Sequence, residues 1–297
     1  MHSVLLLPAC SCESALELEF HSTNIGNQLS MLAFTIYKAH LSGKCVCVRA
    51  VGTARKIPLL RGIENVCWSP DEIDGVCEAK VIEETRWAKS FWSSGNHMMN
   101  VVIPLRNAVL PLLPPCPSND LVVHFRCGDA PFDRNRAYGL LRDAYYHDAV
   151  DRLNAHNAKR VVLLHCFNHW DPYGKADMNR EEAGVVVAAY KTHMLKLLKR
   201  ICPNATVVAE CGTIDGDFSS MVHADKFIGS TSSMSRIAAI LRDGPAVVPT
   251  NAPYWIRPGT NPTLTHLTEL SFDEYVVKHD RIPDYRDVGA VLKKLSS

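Results

Sequence analysis

Apolar positions recur in two rhythms along this chain. Short apolar runs predict strands at residues 4–10, 15–21, 44–51, 121–125, 160–166, 205–209 and 226–228, with 245–249 as the final one. Between them, spacing close to a helical turn predicts helices at 29–41, 145–156, 181–201, 218–223 and 233–242. In the first of these, Leu29, Leu32, Ala33, Ile36 and Tyr37 mark the apolar face, and Ser42-Gly43 marks the stop. The run Val161-Val162-Leu163-Leu164 has no polar alternation, so its strand should be buried on both faces. Strands alternating with helices predict an α/β protein with parallel sheets and right-handed crossovers. The second half reads as a Rossmann-like domain. Pro104, Pro111, Pro114, Pro115 and Pro117 interrupt the alternation and place a domain boundary there, giving domains at 1–118 and 119–297.

Composition narrows this picture. With 47% hydrophobic and 21% charged residues, the 297-residue chain can build a sizeable core. The 32 Lys and Arg nearly balance the 31 Asp and Glu, so no polyanion-binding surface, and no nucleic-acid partner, is expected. The apolar start Val4-Leu5-Leu6-Leu7 is too short to span a bilayer, which takes about 20 residues. It also lacks the positively charged start of a secretory signal. A soluble, cytoplasmic protein without an integral membrane span is the expectation, with a truncated Golgi-type protein as the other possibility. The 11 cysteines are odd in number and their spacings form neither a disulfide framework nor a zinc signature, which suits a reducing compartment.

Three segments could carry chemistry, and each also has a plain structural explanation. The apolar strand at 121–125 runs into His124, Arg126, Gly128 and Asp129. Ligands of open α/β sheets bind at strand carboxyl ends, where the guanidinium fork of an Arg can grip a diphosphate. The plain alternative is a strand capped by an Arg–Asp salt bridge. The second segment, Asp217 to Leu241, carries the Ser/Thr-rich turn Ser230-Thr231-Ser232-Ser233 at a helix start. Free N–H groups and the helix dipole make such a start an anion site, though serines there are also ordinary N-caps. The third, Asn24-Ile25-Gly26-Asn27-Gln28, is either a close-approach loop or a simple turn.

Together the three segments resemble the fucosyltransferase superfamily. Asn24-Ile25-Gly26-Asn27-Gln28-Leu29 looks like its G-x-G-N-Q-[LM] loop, Val123-His124-Phe125-Arg126-Cys127-Gly128-Asp129 like its H-x-R-R-G-D motif, and Asp217 to Leu241 like its third motif. The resemblance implies a GT-B-like α/β fold, with two Rossmann-like domains facing a cleft. It implies an inverting, metal-independent transfer of a sugar, GDP-fucose being the favoured donor, onto a glycan hydroxyl. No cofactor beyond the nucleotide-sugar co-substrate is expected. His124 and Arg126 would contact the diphosphate. Ser232, Ser233 and the amide of Met234 would hold phosphate, Asp217 would lie near the nucleoside, and Asn27 and Gln28 would face the cleft. Cys127 stands where the motif has its second Arg, and His165-Cys166-Phe167-Asn168 where many relatives carry an acid that helps read guanine. A UDP-sugar such as UDP-xylose therefore stands beside GDP-fucose as donor.

Direct displacement needs a base for the acceptor proton. Asp133 is favoured, with Asp129 and Asp171 as the other candidates. Asp215-Gly216-Asp217 matches the D-x-D triplet of metal-dependent transferases, and His165, Cys166 and His169 could suggest a transition metal, but neither is preferred to the metal-free site. A catalytically silent carbohydrate- or nucleotide-binding module is the competing class. An oxidoreductase is set aside because no G-x-G-x-x-G follows a predicted strand.

Overall fold

The computed structural model describes residues 14–20, 29, 32, 35, 36, 45–50, 66–68, 81–84, 105–107, 109–116, 120–127, 139–165, 180–250, 265–277 and 287–297. The chain divides into two compact units, Met1–Pro115 with Tyr254–Leu264, and Cys116–Pro253 with Thr265–Ser297.

The first unit carries β1 (Ser14–Phe20), β2 (Cys45–Ala50), β3 (Val66–Trp68) and β4 (Val81–Glu84). They form a parallel sheet in the order β3-β2-β1-β4. The chain moves outward from β1 to β3, then returns to the other side of β1. Leu29, Leu32, Thr35 and Ile36 are helical and buried, and their spacing of three, three and one keeps them on one helical face. The strand expected at 4–10 lies outside the described residues.

The second unit holds the larger sheet. Its elements are β5 (Leu121–His124), α1 (Asp143–Leu153), β6 (Arg160–Leu164), α2 (Arg180–Ile201), β7 (Thr206–Glu210), α3 (Ile214–His223), β8 (Lys226–Ile228), α4 (Ser233–Leu241), β9 (Ala246–Thr250), β10 (Leu267–Ser271), α5 (Phe272–Tyr275) and α6 (Val288–Leu295). All strand pairs are parallel, in the order β10-β9-β8-β5-β6-β7. From β5 the chain winds out through β6 to β7, then crosses back and winds the other way from β8 to β10. This is the doubly wound order, and its winding reverses between β5 and β8. Leu121, Val122 and Val123 of β5 and Val161 to Leu164 of β6 are buried, as the uninterrupted apolar runs predict for strands covered on both faces.

Local chemistry explains where these elements stop. α1 ends at Asn154, which adopts φ 48° in the left-handed region that Asn tolerates better than most residues. α2 starts on Glu181 and Glu182 and ends on Lys199 and Arg200, opposing its dipole at both ends. α3 starts at Ile214, four residues before its predicted start. Thr213 caps it by accepting from Gly216 N at 3.1 Å, so Gly216 sits inside the first turn instead of breaking the chain. The buried Arg242 guanidinium donates to Met221 O at 2.7 Å and Gly244 O at 2.8 Å, and also to Ala224 O, closing the end of α3 against the turn before β9.

Two expectations need correction. The strand at β9 is not the final one, since β10 pairs with it in parallel from Leu267↔Ala246 to Ser271↔Thr250. The sequence Leu-Thr-Glu-Leu-Ser has no apolar run, and Glu269 resembles a surface residue until its partner is known. Pro249 is tolerated within β9 because β8 pairs only with Ala246 and Val247, leaving no ladder bond for Pro249 to break on that side. The cysteine spacings also misled. Cys211 is disulfide-bonded, whereas Cys116, Cys127 and Cys202 are not. Disulfides follow distance in the fold rather than spacing in the chain, so the spacings did not disclose this one. Among the described residues, no helix is long and apolar enough to cross a membrane.

Candidate functional site

The winding reverses between β5 and β8, and in doubly wound sheets the carboxyl ends of the strands at such a reversal are the usual ligand position. Main-chain pairing continues just past the strand ends there. Phe125 N donates to Leu164 O and Gly229 N to Val247 O, each at 2.8 Å, so the residues that follow leave the sheet in fixed register. Phe125 and Cys127 turn into the core, while His124 and Arg126 are only partly buried. This is the alternation of a strand carried two residues beyond its end.

From the β8 side comes the turn Gly229-Ser230-Thr231-Ser232 leading into α4. Gly229 has no room for a side chain. A Cβ there would lie 2.8 Å from Val248 Cγ1 and 3.0 Å from Ser235 Cβ. Tyr145 Oη of α1 donates to Gly229 O at 2.8 Å and holds the turn from below. Arg126 Nη1 donates to Thr231 O at 3.3 Å, and His124 Nδ1 lies 2.5 Å from Ser235 Oγ and 3.3 Å from Ser230 Oγ. The two predicted phosphate elements, the β5 motif and the Ser-rich turn, are thus joined by direct hydrogen bonds.

Within the turn the roles differ from the simple expectation. Ser232 is the N-cap of α4, accepting from Met234 N at 3.2 Å. The Met234 amide is therefore engaged by Ser232, and a phosphate would meet it only by replacing that cap, whereas the Ser232 hydroxyl keeps its own proton to donate. Ser233 is buried in the first turn of the helix.

Asp217 stands at a different strand end. It lies in the first turn of α3, after β7, which is two strands from β5, a lateral offset of about 10 Å. Its carboxylate accepts from Gly212 N at 3.0 Å. Burial pushes the carboxyl up to about 6, the Gly212 hydrogen bond working against this and the nearby Glu210 charge with it. Asp215 and Asp217 are two apart on a helix and so do not share a face, which disfavours joint metal coordination. Among the described residues, no group of three or more His, Cys, Asp or Glu could hold a metal ion. His165 follows β6. Burial, helped by Lys191, lowers its pKa, and its Nδ1 has no hydrogen-bond partner. Asn27, Gln28, Asp129, Asp133, Asp171, Cys166 and His169 lie outside the described residues.

A raised carboxyl binds its proton more tightly in the folded state, so Asp217 makes stability fall as pH rises from about 3.8 to about 6. Asp217→Asn keeps an acceptor for Gly212 and removes the charge. Because water still reaches the carboxyl, the expected gain near neutral pH is about 1 kcal/mol, or roughly 2–4 °C in the unfolding midpoint. Thermal melts of both proteins across this pH range should show the gain disappearing below about 3.8. An Asn variant that is less stable at every pH would contradict this origin for the shift.

Sequence reasoning missed Ser235, Ser230 and Glu269. Ser230 was visible only as one more serine of the turn, and Ser235 only as a helix residue. Glu269 of β10 pairs with Arg236 of α4, their side chains 6% and 5% exposed. Burial pushes Glu269 up to about 7 despite the guanidinium beside it, and pulls Arg236 down to about 10.

No family model matches the sequence, and no curated protein matches it. Among solved structures, the chain is similar to E. coli heptosyltransferase WaaC with ADP at 11% identity and a TM-score of 0.45, over 95% of this chain and 100% of that one. It is similar to the iron-containing dodecameric glycosyltransferase TibC from enterotoxigenic E. coli at 12% identity and a TM-score of 0.43, over 95% and 76%. A glycosyl transferase family 9 protein from Veillonella parvula matches at 10% identity and a TM-score of 0.39, over 96% and 97%.

Proposed function

We propose that this protein is an inverting, metal-independent glycosyltransferase of GT-B type that holds the diphosphate of a nucleotide-sugar at the carboxyl ends of β5 and β8. The observation that carries this reading is the direct link from His124 and Arg126 to the turn opening α4, through Ser235, Ser230 and Thr231. One guanidinium and one helix N-terminus, fixed together at the winding reversal, suit a leaving diphosphate. The acceptor oxygen attacks the anomeric carbon. The bond from that carbon to the diphosphate oxygen breaks, and its electron pair leaves with the nucleoside diphosphate. The acceptor proton passes to a carboxylate, with Asp133 preferred to Asp129 and Asp171. Arg126 and α4 stabilise the charge that a metal would otherwise offset.

The motif resemblance favours GDP-fucose as donor and a glycan hydroxyl as acceptor. The Cys127 side chain is buried in the core and supplies no cation, which keeps a UDP-sugar such as UDP-xylose as the second donor. It also motivates the competing reading, a silent nucleotide- or carbohydrate-binding module. Nucleoside diphosphate release, measured over a panel of nucleotide-sugars and glycan acceptors in excess chelator, separates these. Turnover on at least one donor, unaffected by chelator, is expected. Binding without turnover supports the silent module. Activity lost in chelator and restored by Mn²⁺ or Mg²⁺ supports the Asp215/Asp217 metal alternative.

A further inference from the structure

Two hydroxyls outside the motif positions assigned to phosphate surround the His124 ring. Ser235 Oγ lies 2.5 Å and Ser230 Oγ 3.3 Å from Nδ1, and the two oxygens are 3.3 Å apart. The backbone N–H of Ser230 donates to Ser235 Oγ at 3.0 Å. Both serines are buried, so a hydroxyl proton without an acceptor is costly here.

Counting protons decides the tautomer. The Ser230 N–H fills one acceptor position on Ser235 Oγ. If His124 carried its proton on Nδ1, that N–H would fill the second, and the Ser235 O–H would turn to Ser230 Oγ. The Ser230 O–H would then have no acceptor within the group. If Nδ1 is bare, the Ser235 O–H donates to it, and the Ser230 O–H donates to Ser235 Oγ or shares Nδ1, so every proton is placed. The doubly protonated ring fails on the same count, and it would also bring a cation to the positive end of α4.

We infer that Ser235 and Ser230 are positioning residues that hold His124 as the neutral Nε2–H tautomer, making Nε2 the donor that this ring offers to a leaving diphosphate. The tautomer stands on hydrogen bonding alone, and only its use toward the diphosphate rests on the glycosyltransferase reading. The signal could not be found in the sequence, because Ser235 lies 111 positions from His124.

Nitrogen-15 correlation spectra of the histidine side chains in the full chain test the tautomer directly, with the His124 signals assigned by their loss in His124→Gln. The expected spectrum has a protonated Nε2 and an unprotonated Nδ1 at neutral pH, and Ser235→Ala should shift His124 towards a tautomer mixture. A wild-type ring protonated on Nδ1, alone or together with Nε2, overturns the inference whether or not the Ala variant folds. The activity arm compares two amides. Gln places its NH2 near the Nε2 position, whereas Asn places its amide near Nδ1. His124→Gln should therefore keep at least about ten times the kcat of His124→Asn. Equal losses overturn the assigned donor. The expected tautomer with no turnover on any nucleotide-sugar would remove the glycosyltransferase reading and leave the positioning role standing.

Discussion

Arg126→Ala is expected to fold as the wild type does and to lose at least about a hundredfold in turnover. The size follows from losses measured when one fixed donor to developing charge is removed. Arg126 is only partly buried and lies just past the end of β5, so its truncation opens no cavity in the core. Its bond to Thr231 O, at 3.3 Å, is long and modest. The measurement is kcat, with a thermal melt of each variant as control. Arg126→Lys keeps the charge but not the fork of donors, and should recover only part of the loss. Near-wild-type turnover in Arg126→Ala would remove this residue from the site.

The second large effect is on stability. Glu269→Ala should cost about 3–5 kcal/mol, because it leaves the Arg236 guanidinium buried without its carboxylate. The unfolding midpoint should drop by roughly 6–20 °C. Replacing both partners, as in Arg236→Met with Glu269→Leu, should restore most of the loss, since the desolvation of both charges disappears together. A double variant no better than Glu269→Ala would show that packing, not the unpaired charge, sets the cost. The pair matters to the site because it fastens α4, which carries the phosphate turn at its start, to β10 at the sheet edge. The turn is thereby anchored from the outer strands as well as from β5.

These two residues also mark what the sequence discloses. The apolar runs at 121–123 and 161–164 announced central strands buried on both faces, because parallel strands covered by helices must be apolar throughout. His124, Arg126 and the serines of the turn were readable because strand ends and helix starts are local features. The helix start at Ile214 was hidden, since Thr213 capping Gly216 looks like any turn in a Gly- and Asp-containing stretch. β10 was hidden for a different reason. Its half-buried Thr, Glu and Ser make sense only once Arg236 lies opposite. Ser235 was hidden because its partner is set by the packing of α4 against β5, which no spacing within the helix encodes.

The central claim is that a nucleoside diphosphate group is held where the sheet winding reverses, by Arg126 together with the start of α4. Isothermal titration calorimetry with GDP, UDP and ADP in excess chelator, on wild type and Arg126→Ala side by side, tests it most directly. The account predicts metal-free binding of at least one nucleotide by the wild type, and at least about tenfold weaker binding by a folded Arg126→Ala protein, since losing one charge-assisted pair removes more than about 1.4 kcal/mol. Equal affinity in the two proteins, or binding only when a divalent cation is added, would contradict it.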